Sequence, residues 1–427
     1  MSEKKRIGIA GLGTVGAQVV ARLLAGAVPG AVVTAVSARD AKRDRGVDLS
    51  AQRFVANPLD LAAAEDVDVV VELMGGEGGA ALELVQAALR AGKPVVTANK
   101  AMLAAHAEGL SDLSCVSPPV PLAFEAAVAG GIPVIKALRE GMAGNEISRL
   151  SGILNGTCNY ILSRMEVAKL SFEEALKEAQ EKGFAEADPF LDVSGTDAGQ
   201  KLVILSALGF GVAPNMAHVS ITGIEQIAAQ DISFAASFDS VIRLVAMAER
   251  RAETGGVFHQ VMPMLVKKPA SLAQVGNELN ALKIEAEPVG SIFLQGPGAG
   301  GGATASAVLA DISDIVQGFG RALFSKPTSA MKESASPTPP ASEYYLRLAL
   351  ADKPGSMAKA TQILAENGVS IEEVVQRSSQ AGDRFLPVVF ITHHCENSAL
   401  RAALEALQSQ QDICNEVLAL PVFAEEM

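Results

Sequence analysis

The chain has 427 residues, 49% hydrophobic and 19% charged, and its 35 Lys and Arg against 48 Asp and Glu give a net charge of −13. That length suggests two or three domains, the composition supports packed cores and excludes a disordered chain, and the acidic balance argues against nucleic acid or an anionic membrane as the main partner. No run of about 18 apolar residues marks a membrane span, and MSEKKRIGIAG passes from a short basic cap straight into a strand pattern, which leaves no room for a signal peptide and points to the cytoplasm. Cys115, Cys158, Cys395 and Cys414 are scattered without a CxxC pair, so they read as buried free thiols and not as a zinc or disulfide framework.

Residues 6–10 read as a buried strand, followed at once by GLGTVG and by the helical spacing of Val19, Val20, Leu23 and Leu24. Gly11, Gly13 and Gly16 fit GxGxxG in the strand, turn, helix context that dinucleotide binding requires. Glycines permit the tight turn and a close approach of backbone to a pyrophosphate, which sits on the positive end of the helix. Gly11, Gly13, Thr14, Val15 and Gly16 are the expected contacts, a tight turn without ligand being the bland alternative. The second strand, residues 31–36, ends in SARD, where an NAD site would place an acid for the ribose hydroxyls. Here the first charge is Arg39, with Lys42, Arg43 and Arg45 behind it. A 2′-phosphate suits these cations, so NADP(H) is favoured over NAD(H), while Asp40 keeps NAD open.

Residues 67–73 form another buried strand, ending in Met74-Gly75-Gly76, and residues 94–97 the next, ending in Ala98-Asn99-Lys100. With a helix at 79–91 between them, the alternation predicts a doubly wound parallel sheet, whose ligands lie at the carboxyl ends of the strands. Thr97 and Lys100 stand at that edge, close to where a nicotinamide would sit; a surface lysine is the alternative. FEAAVAGGIP, 124–133, reads as a strand passing into a loop and then a helix through Leu138. Next come a strand at 147–156, a helix start at 157–165 behind Asn155-Gly156, and an amphipathic helix at 171–182 opened by a Ser171/Glu174 capping box.

The segment AEADPFLDVSGTDAGQK, 185–201, brings Glu186, Asp188, Asp192, Asp197 and Lys201 into seventeen residues and leads into LVILSALGF, apolar on every face. Lys201 therefore opens a buried helix, with Ser194 or Thr196 placed to cap it and Gly209 and Gly211 to end it. Asp197 and Lys201, four apart, share one helical face. An ordinary ion pair is the bland reading. The chemical one is a carboxylate that favours the ammonium form of its neighbour in a sheltered cleft. Further on lie 219–226, a helix around 237–249, strands at 257–265 and 284–294, and the glycine loop 295–302 before a helix at 303–318. Residues 326–342, polar and proline-rich, read as a linker. The order βαββαβ follows: strand 344–350, a turn at 352–355, a helix to Asn367-Gly368, strands 369–375 and 385–392, a helix at 398–407 and a last strand near Val417.

The spaced set Ala179, Gly183, Phe184, Ala185, Asp188-Pro189, Asp192-Val193, Gly195, Asp197 and Lys201 resembles the signature of homoserine dehydrogenases. TANK at 97–100 and NGTCNYIL at 155–162 are similar to that family as well, and the C-terminal unit, with DKPGSM and ENGVSI, resembles an ACT domain. The resemblance covers nearly the whole chain. It implies a Rossmann-type NAD(P) domain over 1–130, to which the chain returns at about 300–325, an α+β catalytic and dimerisation domain over 131–300, the linker 326–342, and a ferredoxin-like ACT domain over 343–427. The implied activity is NAD(P)-dependent interconversion of L-homoserine and L-aspartate 4-semialdehyde, on the route to threonine and methionine. With no aspartokinase ahead of it, the chain is expected to be monofunctional.

In the implied site Lys201 delivers the proton, Asp197 orients it, Lys100 shares or takes over that role, and Glu186, Asp192 and Asp197 fix the substrate ammonium. Gly183, Gly298 and Gly300 join the cofactor contacts. A monovalent cation (Na+) is held largely by main-chain carbonyls at Glu125, Val128, Gly130 and Ile132. The implied assembly is a homodimer or homotetramer, and the implied effector at the ACT domain is an amino acid, with threonine as the hypothesis. Two other classes remain open: a regulator that binds NADP and an amino acid without catalysis, and another semialdehyde or hydroxy-acid dehydrogenase on this fold.

Overall fold

The computed structural model describes residues 4–252, 254–333, 339–377 and 384–425. Six strands build the first sheet: β1 (Lys5–Ala10), β2 (Ala31–Ser37), β3 (Arg53–Val55), β4 (Val69–Glu72), β5 (Val95–Thr97) and β6 (Leu122–Ala123), all parallel in the order β3-β2-β1-β4-β5-β6. Their apolar runs are buried on both faces, as a parallel sheet requires. Val19, Val20 and Leu23 of the helix Thr14–Leu24 pack on one face together with Val308, Ile312 and Ile315 of Gly301–Gln317. Leu84 and Val85 of Ala80–Arg90, with Leu103 and Leu110 of Lys100–Ser114, belong to the core on the other. Strand order reverses between β1 and β4, which opens a crevice at their carboxyl ends.

The second sheet is mixed: β7 (Glu146–Ile153), β8 (Val219–Ile221), β9 (Ser240–Arg250), β10 (Val257–Lys267), β11 (Leu279–Glu287) and β12 (Gly290–Pro297) continue into β13 (Tyr344–Ala351), β14 (Ile371–Gln376), β15 (Phe385–Thr392) and β16 (Cys414–Phe423). Three local expectations fail here. The helix expected around 237–249 is the central strand β9, and the helix is Ala229–Ser237 just before it. Packed between β7 and β10 and buried on both faces, SVIRLVAMAER has no period-2 alternation to betray it. The single strand expected at 284–294 is the hairpin β11–β12, turned at Pro288-Val289. At 124–133 the strand has already ended with β6, and Glu125–Ala127 is a 3-10 turn.

The C-terminal unit has the expected βαββαβ order, with helices Ser356–Glu366 and Asn397–Gln408 over an antiparallel sheet. It is not a separate bead. β16 pairs in parallel with β10 at Leu265↔Val422 and Val266↔Phe423, so the two sheets are one. Glu425 then anchors the end, accepting from Ser271 N (2.8 Å) and from Lys283 Nζ (2.7 Å). Within the stretch read as a linker, Thr328 is buried and donates its amide to Ser111 Oγ (3.0 Å), and Lys332 bridges to Val212. Residues 334–338 of that stretch lie outside the described residues. Among the described residues no helix is long and apolar enough to cross a membrane.

A buried charge cluster locks the C-terminal unit to the helix Ala229–Ser237. Asp231, fully buried in the first turn of Ala229–Ser237, accepts from Tyr345 Oη and Arg347 Nε, both at 2.7 Å, and from the amide of Ala228 at 2.9 Å. Removing one partner of a buried pair leaves an uncompensated charge, so Arg347→Ala should lower the unfolding free energy by about 3–5 kcal/mol. Lys353→Ala, which removes an exposed pair with Asp412 at 3.5 Å, should cost less than about 1 kcal/mol. Urea titration of both variants checks this, and equal losses would contradict it.

Candidate active site

The crevice at the first sheet is shaped by its glycines. Gly11 has φ +98°, and a Cβ there would lie 2.4 Å from the carbonyl oxygen of Leu73; one on Gly16 would lie 1.9 Å from the oxygen of Gly11. Only glycine fits either place. Around Gly13 nothing lies within 4 Å, which is the open side a pyrophosphate would approach, against the first turn that Thr14 and Val15 begin. A cavity of about 790 Å³ extends from here past Gly11, Gly13, Arg39, Arg43, Arg45 and Gly76. Arg45 is fixed by the carbonyls of Leu12 (3.2 Å), Arg43 (2.6 Å) and Asp40. Arg39 and Arg43 have no side-chain partner among the described residues, whereas the Asp40 carboxylate accepts from the amide of Lys42 (2.9 Å).

Two residues that sequence reasoning missed hold the crevice floor. Glu72, fully buried at the end of β4, accepts from the amides of Met74 (2.7 Å) and Gly75 (3.1 Å) and from Thr97 Oγ1 (2.7 Å). Asn99 donates to the carbonyl of Gly76 (2.7 Å) and caps the helix that Lys100 opens, accepting from Met102 N at 3.2 Å. A lone acid at the end of an otherwise apolar strand was the available signal for Glu72.

Where the two sheets meet, Asp197 gathers the polar residues. Its Oδ1 lies 3.1 Å from Lys100 Nζ and its Oδ2 2.8 Å from Lys201 Nζ, and Asn155 Nδ2 donates to Oδ2 at 2.9 Å. Lys201 also donates to the carbonyl of Leu154 at 2.6 Å. The same Asn155 amide reaches Asp192 Oδ1 at 2.7 Å, while its Oδ1 accepts from Cys158 N and so caps Gly156–Ala168. Sequence reading passed over Asn155 because an Asn before a helix reads first as a cap. Burial pushes the Asp197 carboxyl upward, but the charges of Lys201 and Lys100 overcome it and hold it at about 2. Burial raises Asp192 against the hydrogen bond from Asn155.

The helix carrying these groups runs Thr196–Phe210. Its N-cap is Gly195, at φ +84°, and not Ser194 or Thr196; Gly209 lies inside it, where a Cβ would be 3.2 Å from Leu150 Cδ1, and Gly211 alone ends it. Glu186 is not joined to the cluster: it is exposed, and its carboxylate has no partner among the described residues. Gly183 ends the helix Phe172–Glu181, donating to the carbonyl of Gln180, and does not line the crevice cavity. Gly300 caps Gly301–Gln317, whose start meets Thr14 and Gln18, so the returning loop does stand beside the glycine turn. Gly298 lies over Asn280, whose amide shares the Leu154 carbonyl with Lys201.

In the loop expected to hold a cation, Ala129 (φ 54°) and Gly130 (φ 38°) turn the chain. The carbonyls of Val128 and Gly130, both residues buried, accept no hydrogen bond from any described residue, whereas those of Glu125 and Ile132 accept from Val128 N (3.4 Å) and Val134 N (2.7 Å). The Glu125 carboxylate is occupied by the amides of Ile135 and Lys136. Two orphaned buried carbonyls fit a main-chain cation site.

Family models match this chain as homoserine dehydrogenase over residues 133–313, as the homoserine dehydrogenase NAD binding domain over 11–115 and as an ACT domain over 344–411. A homoserine dehydrogenase of Pseudomonas aeruginosa is 37% identical over 98% of each chain. The chain belongs to the homoserine dehydrogenase family. The crystal structure of a homoserine dehydrogenase from Thiobacillus denitrificans superposes with a TM-score of 0.89 at 34% identity, covering 99% of this chain and 98% of that one. A hyperthermophilic archaeal homoserine dehydrogenase, solved in complex with NADPH, has a TM-score of 0.63 at 27% identity, covering 75% of this chain and 99% of that one.

In this member of the homoserine dehydrogenases the carboxyl of Asp197 sits below its ordinary 3.8 in the folded state. A depressed carboxyl contributes stability above its unfolded value that is lost as pH falls through the folded one. The stability gap between wild type and Asp197→Asn, on the order of 2 kcal/mol for this group, should be constant from pH 7 to 5 and narrow between about pH 4 and 2. Urea titrations across that range test it, and a gap unchanged at the acid end would contradict the charge on Asp197.

Proposed function

We propose that this homoserine dehydrogenase reduces L-aspartate 4-semialdehyde reversibly to L-homoserine, with NADP(H) preferred to NAD(H). The observation that carries the reading is one carboxylate, Asp197, with Lys100 on one oxygen and Lys201 on the other at the carboxyl edge of a dinucleotide-binding sheet. A bound nicotinamide supplies the hydride. As hydride reaches the aldehyde carbon, negative charge grows on its oxygen, and an ammonium beside it stabilises that charge and delivers the proton. Lys201 takes this role; Asp197 and the Leu154 carbonyl fix its Nζ. Lys100, more exposed than Lys201, shares the role and contacts cofactor and substrate in this reading. Asp192, with Asp197, meets the substrate ammonium, and Glu186 joins them if its segment folds inward.

Coenzyme preference rests on Arg39 and Arg43, two guanidiniums at the nucleotide cavity without partners among the described residues, while the backbone of the same turn occupies Asp40. The NADPH complex of the archaeal relative supports the same choice. The main-chain carbonyls near Val128 and Gly130 would hold Na+, stiffening the loop between the two sheets. The unpaired edge of β12 would serve a dimer or tetramer, and the ACT domain would sense an amino acid, threonine first, as a feedback signal in threonine and methionine synthesis.

The test is oxidation of NADPH, beside NADH, with L-aspartate 4-semialdehyde, with and without threonine. Turnover with both coenzymes, faster with NADPH and slowed by threonine, is expected. Folded protein that oxidises neither coenzyme would overturn the reaction, and equal rates would overturn the coenzyme preference alone.

A further inference from the structure

Leu154 enters the charge cluster through its backbone. Its carbonyl, just beyond the end of β7, accepts from Lys201 Nζ at 2.6 Å and from Asn280 Nδ2 at 3.0 Å. A carbonyl oxygen has two lone pairs, so these two donors fill it. Asn280 lies near the start of β11 and is only 1% exposed. Among the described residues its side chain makes this one hydrogen bond, and its Oδ1 is buried without a partner.

An orphaned buried acceptor costs stability that an apolar side chain would avoid. Packing alone therefore does not account for an amide here; its donor does. The surroundings are cut to fit that amide. A Cβ on Gly298 would lie 2.0 Å from Asn280 Cγ, and one on Gly156 would lie 3.4 Å from Asn280 Oδ1. Turned over, the amide would set its oxygen against the oxygen of Leu154, so one orientation alone can donate.

The lysine ammonium has three protons. Asp197 Oδ2 and the Leu154 carbonyl take two of those on Lys201, and the direction of the third is set by where these two acceptors stand. Asn155 and Lys100 hold Asp197 in place. Asn280 holds the other acceptor. We propose that Asn280 is a positioning residue for proton transfer: it fixes the Leu154 carbonyl on Lys201 Nζ, so that the remaining N–H is aimed at the oxygen of the substrate. The proposal rests on Lys201 being the proton donor and names what aims it.

The test is single-turnover reduction of L-aspartate 4-semialdehyde by NADPH, with substrate KM and NADPH affinity measured in parallel, on wild type, Asn280→Ala, Asn280→Asp, Lys201→Ala and Asn280→Ala combined with Lys201→Ala. Asn280→Asp keeps the shape and removes the N–H donor; melts verify folding, and the aspartate variant carries the cycle if the alanine variant unfolds. Misplacement of a reacting group by about 1 Å can cost about 10²-fold. The expected result is a rate loss of roughly 10- to 100-fold in either Asn280 variant, with KM and NADPH affinity little changed. On the Lys201→Ala background the same change should cost no more than about twofold, because a residue that acts through Lys201 has nothing left to aim. Equal losses on both backgrounds, a loss confined to KM or NADPH affinity, wild-type rates in both Asn280 variants, or failure of both to fold would each overturn the positioning role while leaving Lys201 as donor. Normal turnover by Lys201→Ala would overturn the donor assignment and this role with it, and a folded wild type that reduces no semialdehyde would overturn the reaction itself.

Discussion

Asp197 holds the molecule's chemistry together because both of its oxygens are occupied by lysines from different halves of the fold. Lys100 comes from the carboxyl edge of the parallel sheet and Lys201 from the buried helix that packs on the mixed sheet. Burying Asp197 and Lys201 is expensive unless every lone pair and proton finds a partner. Here Asn155 and the Leu154 carbonyl supply what the lysines do not. The surrounding structure keeps them there: LVILSALGF is apolar all round, so the helix cannot rotate without exposing it, and Gly195 turns the chain at φ +84° so that Asp197 falls in its first turn. The contact between the two sheet domains and the fixing of Lys201 thus share one carboxylate.

A second consequence follows from the continuity of the mixed sheet. The C-terminal domain shares β10 with the catalytic half, and its Tyr345 and Arg347 complete the environment of Asp231. From that helix the chain runs back through Ile224, whose amide donates to the carbonyl of Val193, next to Asp192. Excision of residues 342–427 would expose a sheet edge and orphan a buried carboxylate.

Much of this was legible in the residues. The glycine turn, the capping box at Ser171 and Glu174, the buried helix after Lys201 and the βαββαβ tail all follow from short-range physics: steric freedom, end-group hydrogen bonds and hydrophobic period. What escaped depends on long-range context. β9 is a strand because two neighbours cover it, and nothing in SVIRLVAMAER records those neighbours. Gly209 reads as a helix end but lies inside the helix, because Leu150 and Ile147 of β7 press against it. Glu72, Asn99 and Asn155 act by holding other groups, a role that no local spacing announces. Two carbonyls, at Val128 and Gly130, that lack donors among the described residues have no side-chain signature at all.

The most direct test of the central claim compares Lys201→Ala with Lys100→Ala in single-turnover reduction of L-aspartate 4-semialdehyde, with NADPH affinity measured in parallel. Loss of a general acid costs roughly 10²- to 10⁴-fold in rate. The account predicts that loss in Lys201→Ala with NADPH affinity little changed, and a smaller rate loss with weaker cofactor or substrate binding in Lys100→Ala. A Lys201→Ala enzyme that turns over normally, beside a Lys100→Ala enzyme that does not, would move the proton to the other lysine and contradict the account.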